Sequence, residues 1–227
     1  MRAESSAHGE VERLLWRPDG TRRIPPVAAF DRAVSRLRRG ALWRLCELNA
    51  HGPIYLIPTR PFLLALARRI RALGARDVLE VAAGDGHLAR SLQQVAPDLR
   101  VLAADSGAWT EPRARMSPRE RLRFRGKTVA GLPPGSCVLH LGALEAIRTL
   151  QPDLVLASWL PPGPLLGSVI RASPLVLEIG AGSGITGDIR CWRYPHEFWD
   201  DLDPLGRCRL DERPSEKLHT HVTLYSR

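Results

Sequence analysis

Lysine is nearly missing from this 227-residue chain. Of its 33 basic residues only Lys127 and Lys217 are lysines, the rest are arginines, and the net charge is +9. A charge of that size bears on solubility and on steering of acidic partners rather than on fold, and it leaves nucleic acid open as a partner. Cysteine is scarce as well. Cys46, Cys137, Cys191 and Cys208 lie far apart with no Cys-x-x-Cys pair, so they read as thiols in a reducing, cytoplasmic compartment rather than a disulfide frame. Cys208 with His219 and His221 lacks the usual zinc-ligand spacing, and no metal is expected. Long apolar runs are absent: none reaches the about 18 residues that cross a bilayer, so no membrane partner is expected. The N-terminus offers only Leu14-Leu15-Trp16 between charges, which is no secretory signal, and Glu4, Glu10 and Glu12 argue against an acid-poor transit peptide. What remains is a globular chain, 44% apolar, long enough for one large core.

The apolar pattern divides the chain. Residues 1–29 are polar and carry Pro18, Pro25 and Pro26, which predicts a loosely ordered arm. Phe30, Val34, Leu37, Ala41, Leu45 and Leu48 recur at three or four, which predicts one amphipathic helix ending near Asn49. An extended stretch follows, and then a helix from Thr59 or Arg60 with Pro61 in its first turn and a stop at Gly74. Residues 1–53 are thus expected to form an N-terminal arm and helix able to lid a pocket, and residues 54–227 the main domain.

Beyond Gly74 short apolar runs alternate with helical patterns. Strands are predicted at 78–81, 100–104, 137–141, 154–157 and 175–179, and helices at 88–95 and 144–150. Near-continuous apolar strands alternating with helices mean a parallel sheet covered on both faces. Arg207–Leu210 and His221–Tyr225 would add an antiparallel C-terminal hairpin. The expected fold is α/β, a doubly wound, mostly parallel seven-stranded sheet with a helical N-terminal extension.

Between the first strand and its helix lies Glu80-Val81-Ala82-Ala83-Gly84-Asp85-Gly86. Two glycines there let the backbone approach a ligand closely, and the helix start supplies unpaired N–H groups. A carboxylate such as Glu80 near the end of a buried strand is costly unless something pairs with it. Asp105 ends the next strand, where an acid can accept from both hydroxyls of a ribose. Together they predict a nucleoside cofactor. Gly84-x-Gly86-x-x-Ala89 also fits a dinucleotide pattern, which keeps an NAD(P)-dependent Rossmann oxidoreductase open.

Val78 through Gly86, followed by Val101 through Asp105, resembles the first two motifs of the class I S-adenosylmethionine-dependent methyltransferases. Pro152-Asp153-Leu154-Val155-Leu156-Ala157-Ser158-Trp159-Leu160-Pro161-Pro162 resembles their fourth. The resemblance spans roughly residues 54 to 227. It implies S-adenosyl-L-methionine as cofactor, with Glu80 holding its methionine part, the backbone at Gly84 and Gly86 lying against it, and Asp105 holding the ribose. Ala82 stands where the family's first glycine would be. Thr59 and Arg60 fall where such enzymes often add contacts to the methionine end. Ser158, Trp159 and Pro161 would rim the methyl acceptor and supply the catalytic positions. The acid that often follows the third strand is missing at Leu141-Gly142-Ala143, and neither Ser158 nor Leu160 matches the Asn or Asp of amino-methylating relatives. The acceptor therefore stays open between small molecule, protein and RNA, and a non-catalytic relative serving as an interaction module is a further alternative.

Three other features compete for attention. Glu178-Ile179-Gly180-Ala181-Gly182-Ser183-Gly184 repeats the glycine signature, but the 43 residues after Gly184 are too few for the remaining strands and crossover helices, so it reads as the fifth strand and its loop. Arg119 to Lys127 alternates basic and apolar residues, suited to phosphates or to a solvated edge strand. Trp192, Tyr194, Phe198 and Trp199 read as the packing face of a late helix, with His196 and Asp200 four apart on it.

Overall fold

Ala7, Val11 and Leu15 fall four apart and form a buried apolar stripe, and residues 2–15 coil into α1 (Arg2–Leu15). This differs from the loose arm expected, because Pro18 lies beyond the last turn and breaks nothing inside it. The computed structural model describes residues 2–38, 40–48, 53–108, 135, 137–181, 186–199 and 220–227. After α1 the chain reverses at Pro18-Asp19-Gly20. The Asp19 carboxylate accepts from the Thr21 N–H at 2.9 Å and the Thr21 hydroxyl at 2.7 Å, and Trp16 and Arg22 pair antiparallel. The single helix predicted from Phe30 is two, α2 (Val27–Val34) and α3 (Ala41–Leu48). Gly40 separates them in the left-handed region at φ +81°, and the chain tightens before it through Leu37 N–H to Val34 O at 2.9 Å. Val11, Leu15, Trp16, Phe30, Leu45 and Ile57 share one buried cluster, so the N-terminal helices carry a core of their own.

From there the chain alternates. It runs through α4 (Arg60–Ala72), β1 (Asp77–Val81), α5 (His87–Val95), β2 (Arg100–Ala104), α6 (Ala143–Leu150), β3 (Leu154–Ser158), α7 (Leu165–Ala172), β4 (Leu175–Ala181), a 3-10 turn at Ile189–Arg193, β5 (His196–Phe198) and β6 (Thr220–Ser226). Among the described residues the sheet has six strands in the order β2-β1-β3-β4-β6-β5. β2, β1, β3 and β4 are parallel, β6 is antiparallel to β4, and β5 is antiparallel to β6. Leu154, Val155, Leu156 and Ala157 are all fully buried, as a central strand covered on both faces must be. One face packs Phe62, Leu66, Leu88 and Leu92 of α4 and α5 against Val78 and Leu156, and the other packs Ile147, Leu166 and Ile170 of α6 and α7 against Leu79 and Val155.

The strand order changes direction at β1. The chain steps from β1 to β2 on one side and then returns to β3 on the other. Open α/β sheets bind ligands beyond the carboxyl ends of the strands at such a reversal.

Two expected elements come out differently. The strand expected at 137–141 reduces to one parallel bridge, Leu139 to Ala104, outside β2, with Leu139 N–H donating to Ala103 O and Asp105 N–H to Leu139 O, both at 2.9 Å. The late aromatic segment is not a helix. Pro195 leads into β5, whose three residues are all exposed, and Phe198 meets Trp192 edge-on at 5.9 Å. The aromatic cluster with His196 read as the packing face of a helix, yet residues 196–198 pair with β6. Arg207–Leu210, His219, Asp200 and Arg119–Lys127 lie outside the described residues.

Candidate functional site

Three residues of the bend between β1 and α5 adopt left-handed backbone: Ala82 at φ +51°, Gly84 at +55° and Gly86 at +68°. Ala82 bears a Cβ in a region that L-residues populate sparsely, at a cost of about 1–2 kcal/mol, and such strain gathers at functional sites. The bend is also tightly set from outside. A Cβ on Gly86 would come within 2.7 Å of Val138 Cγ2, so only glycine fits beneath Val138.

Asp105, one strand over, fixes the bend. Its Oδ2 accepts from the Gly84 N–H at 2.9 Å and its Oδ1 from the Gly107 N–H at 2.7 Å. Glu80 lies below the same turn, 3% exposed, with Oε2 accepting from the Ala89 N–H in the first turn of α5 at 2.8 Å. Burial pushes its carboxyl up to about 8; the Ala89 N–H and Arg22 oppose that rise, while Asp85 and Asp105 add to it. The two carboxylates singled out in the sequence therefore converge on one glycine bend, one beside it and one beneath it.

The segment after β3 leaves the strand end next to that of β1. Ser158 is half-buried at the strand end. Trp159 follows at φ +53°, with its Nε1 buried and lacking a hydrogen-bond partner and its ring stacked on Tyr55 at 5.8 Å. Trp159 N–H donates to Ile179 O at 2.7 Å, Gly187 N–H to Leu160 O at 3.0 Å, and Gly163 N–H to Gly187 O at 3.1 Å. The Pro161-Pro162 turn is thereby stitched to the loop after β4. A bulky residue held left-handed with an orphaned indole N–H is unusual for a wall that merely packs.

The other sequence candidates occupy different places. Thr59 is fully buried and caps α4, its hydroxyl accepting from the Phe62 N–H at 3.4 Å. Arg60 is exposed at the first position of α4. Glu178, in the repeated signature, is buried with Val176 on the α7 face, opposite to Glu80. The Tyr225 hydroxyl donates to Glu178 Oε2 at 3.2 Å, and burial raises the Glu178 carboxyl to about 7. Gly182, Ser183 and Gly184 lie outside the described residues.

Two residues at the bend escaped the sequence reading. Arg22, on the returning arm of the N-terminal hairpin, is buried against the glycine bend. Its Nη2 donates to Leu56 O at 2.6 Å and its Nη1 lies 3.7 Å from Asp85 Oδ2. His87, the first residue of α5, is 4% exposed with Nε2 unpartnered. Burial, then Arg22, Arg90 and Arg17, hold its imidazole well below the usual histidine range. The x-Pro-Asp-Gly-x turn at residues 17–21 was the available signal for the hairpin, although nothing in sequence tells where its arm docks.

No family model matches the chain, and neither does any curated protein. Many of the solved structures it is similar to are methyltransferases. The methyltransferase domain of bacterial CtHen1-CN aligns at 11% identity and a TM-score of 0.41, over 74% of this chain and 98% of that one. Magnesium protoporphyrin IX methyltransferase from Synechocystis PCC 6803, with bound S-adenosylmethionine, aligns at 10% identity and 0.38, over 74% and 79%. Precorrin-6y C5,15-methyltransferase from Geobacter metallireducens GS-15 aligns at 15% identity and 0.39, over 76% and 92%.

Proposed function

We propose that the chain is an S-adenosylmethionine-dependent methyltransferase, with residues 54–227 as the catalytic domain and residues 1–53 as a cap on its pocket. The observation that carries this reading is the convergence of Asp105 and Glu80 on the Ala82–Gly86 bend at the switch point of the sheet. The residues fit the cofactor. Two backbone N–H groups preset the Asp105 carboxylate, and since a carboxylate oxygen has two lone pairs, each oxygen keeps one for a ribose hydroxyl. Glu80 has one oxygen on Ala89 and suits a cationic partner, because a nearby positive charge favours its ionised form.

When bound, S-adenosylmethionine supplies an electrophilic methyl group on a sulfonium. The chain's own part is positioning and exclusion of water: Glu80 and Asp105 orient, the left-handed bend brings backbone close, and Ser158, Trp159 and Pro161 line the acceptor side. Such a transfer gains chiefly from proximity and orientation and needs no conspicuous acid or base. The acceptor, whether small molecule, protein or RNA, is left open by this reading.

Equilibrium dialysis tests it. S-adenosylhomocysteine should bind and NADP+ should not. Asp105→Ala removes two hydrogen bonds of about 1.5–3 kcal/mol each to a charged acceptor, which should weaken binding tenfold or more. Binding of NADP+ in place of S-adenosylhomocysteine would make the chain a dinucleotide enzyme instead, and binding of neither would leave an interaction module.

A further inference from the structure

The N-terminal hairpin brings the Arg22 guanidinium to the start of α5, and Arg17, whose Nη1 donates to Thr21 Oγ1 at 3.2 Å, adds a second positive charge to the same helix start. Arg17 and Arg22 stand on its two arms, joined by Arg17 N–H to Thr21 O at 2.8 Å and the Trp16–Arg22 bridge. Arg22 is largely buried, with 12% of its side chain exposed, and spends one donor on Leu56 O. Its contact with Asp85 is long at 3.7 Å, and the other Asp85 oxygen accepts from the His87 N–H at 3.1 Å. A guanidinium has five N–H donors in a fixed fork suited to oxyanions, and Leu56 O and Asp85 do not use all of those of Arg22.

Arg90, one turn along α5 from His87, adds a third positive group, with Nη1 donating to Cys137 Sγ at 3.3 Å. The charges acting on the His87 ring are those of Arg22, Arg90 and Arg17, with no carboxylate among them. Asp85 pairs with Arg22 and Asp19 lies beside Arg17, while burial keeps the nearby Glu80 carboxyl protonated up to about 8. Three guanidinium groups thus face two carboxylates, and the local balance stays positive. His87 Nε2 is more than nine-tenths buried and unpartnered, in the same first turn of α5 as Arg90. The helix end adds its own field, since the N-terminal turn of a helix favours negative charge.

We infer that Arg22, Arg90, Arg17 and His87 form an oxyanion-binding pocket between the N-terminal hairpin and the first turn of α5. Its ligand is a phosphate or carboxylate group, held by guanidinium forks with the His87 Nε2–H as an additional donor. Asking what carries the oxyanion rests on the methyltransferase reading; the pocket itself does not. Two sources share this chemistry: a phosphate on the methyl acceptor, and the carboxylate of the cofactor. The hairpin is the new part of the site in either case, because residues well outside the glycine bend supply two of its three cations.

Phosphorus NMR titration of inorganic phosphate into the full chain, with and without S-adenosylhomocysteine, tests the pocket. Saturable binding is expected, weakened about tenfold in Arg90→Gln and in Arg22→Gln. Arg90 is exposed, so Arg90→Gln should melt like the parent and keeps the test valid if Arg22→Gln unfolds. Phosphate that binds alongside S-adenosylhomocysteine assigns the pocket to the acceptor, and phosphate displaced by it assigns the pocket to the cofactor carboxylate. Phosphate binding with no binding of S-adenosylhomocysteine supports the pocket and sinks the methyltransferase reading. Absence of saturable phosphate binding, or binding untouched by both variants, overturns the pocket.

Discussion

Glu80 and Asp105 are both acids at strand ends, yet their surroundings give them different chemistry. Asp105 is fixed by two backbone N–H groups, whereas Glu80 is buried and held near 8. That elevation has a consequence for stability. The folded chain keeps a proton that the unfolded chain releases near 4.5, so the stabilisation is complete below about 4.5 and is lost as pH rises through about 8. Glu178, raised to about 7, acts in the same direction over a narrower window. Thermal melts from pH 5 to pH 9 should therefore show a falling midpoint, and Glu80→Gln should flatten the upper part of that fall. Equal slopes in parent and variant would mean that Glu80 is ionised in the folded chain. Both acids were legible in sequence because each follows an apolar run and precedes a turn. Their unlike environments were not, since burial of Glu80 is decided by α5 packing over it.

Helix α4 shows how one residue reads differently at the level of the element. Thr59 was singled out for a place near the cofactor, and its hydroxyl accepts from the Phe62 N–H as the α4 N-cap. Loss of such a cap costs about 0.5–2 kcal/mol. Thr59→Ala should accordingly lower the melting midpoint while leaving S-adenosylhomocysteine affinity within about twofold; a large affinity loss with unchanged stability would return Thr59 to the cofactor site. Periodicity located α4, α5 and the four parallel strands because their apolar spacing is dictated by burial along the element itself. It failed for α1, where Pro18 drew attention from the Ala7, Val11, Leu15 stripe. It failed again for β5, where the aromatics pair across strands and not along a helix.

For the molecule as a whole, the switch point comes from the strand order, and that order could not be read from one strand at a time. The sequence motifs placed the bend and its acids on consecutive strands, which was enough to expect a nucleoside site. The reversal at β1, the stitching of the Pro161-Pro162 turn to Gly187, and the docking of Arg22 onto Asp85 and Leu56 are tertiary facts. The central claim joins them: one adenosyl group is gripped by the acids of neighbouring strands over a left-handed turn. A crystal structure of the full chain grown with S-adenosylhomocysteine tests this most directly. The account predicts ribose hydroxyls within hydrogen-bond distance of Asp105 and the amino-acid end over the bend above Glu80. A ligand seated elsewhere, with Asp105 still occupied only by Gly84 and Gly107, would contradict it.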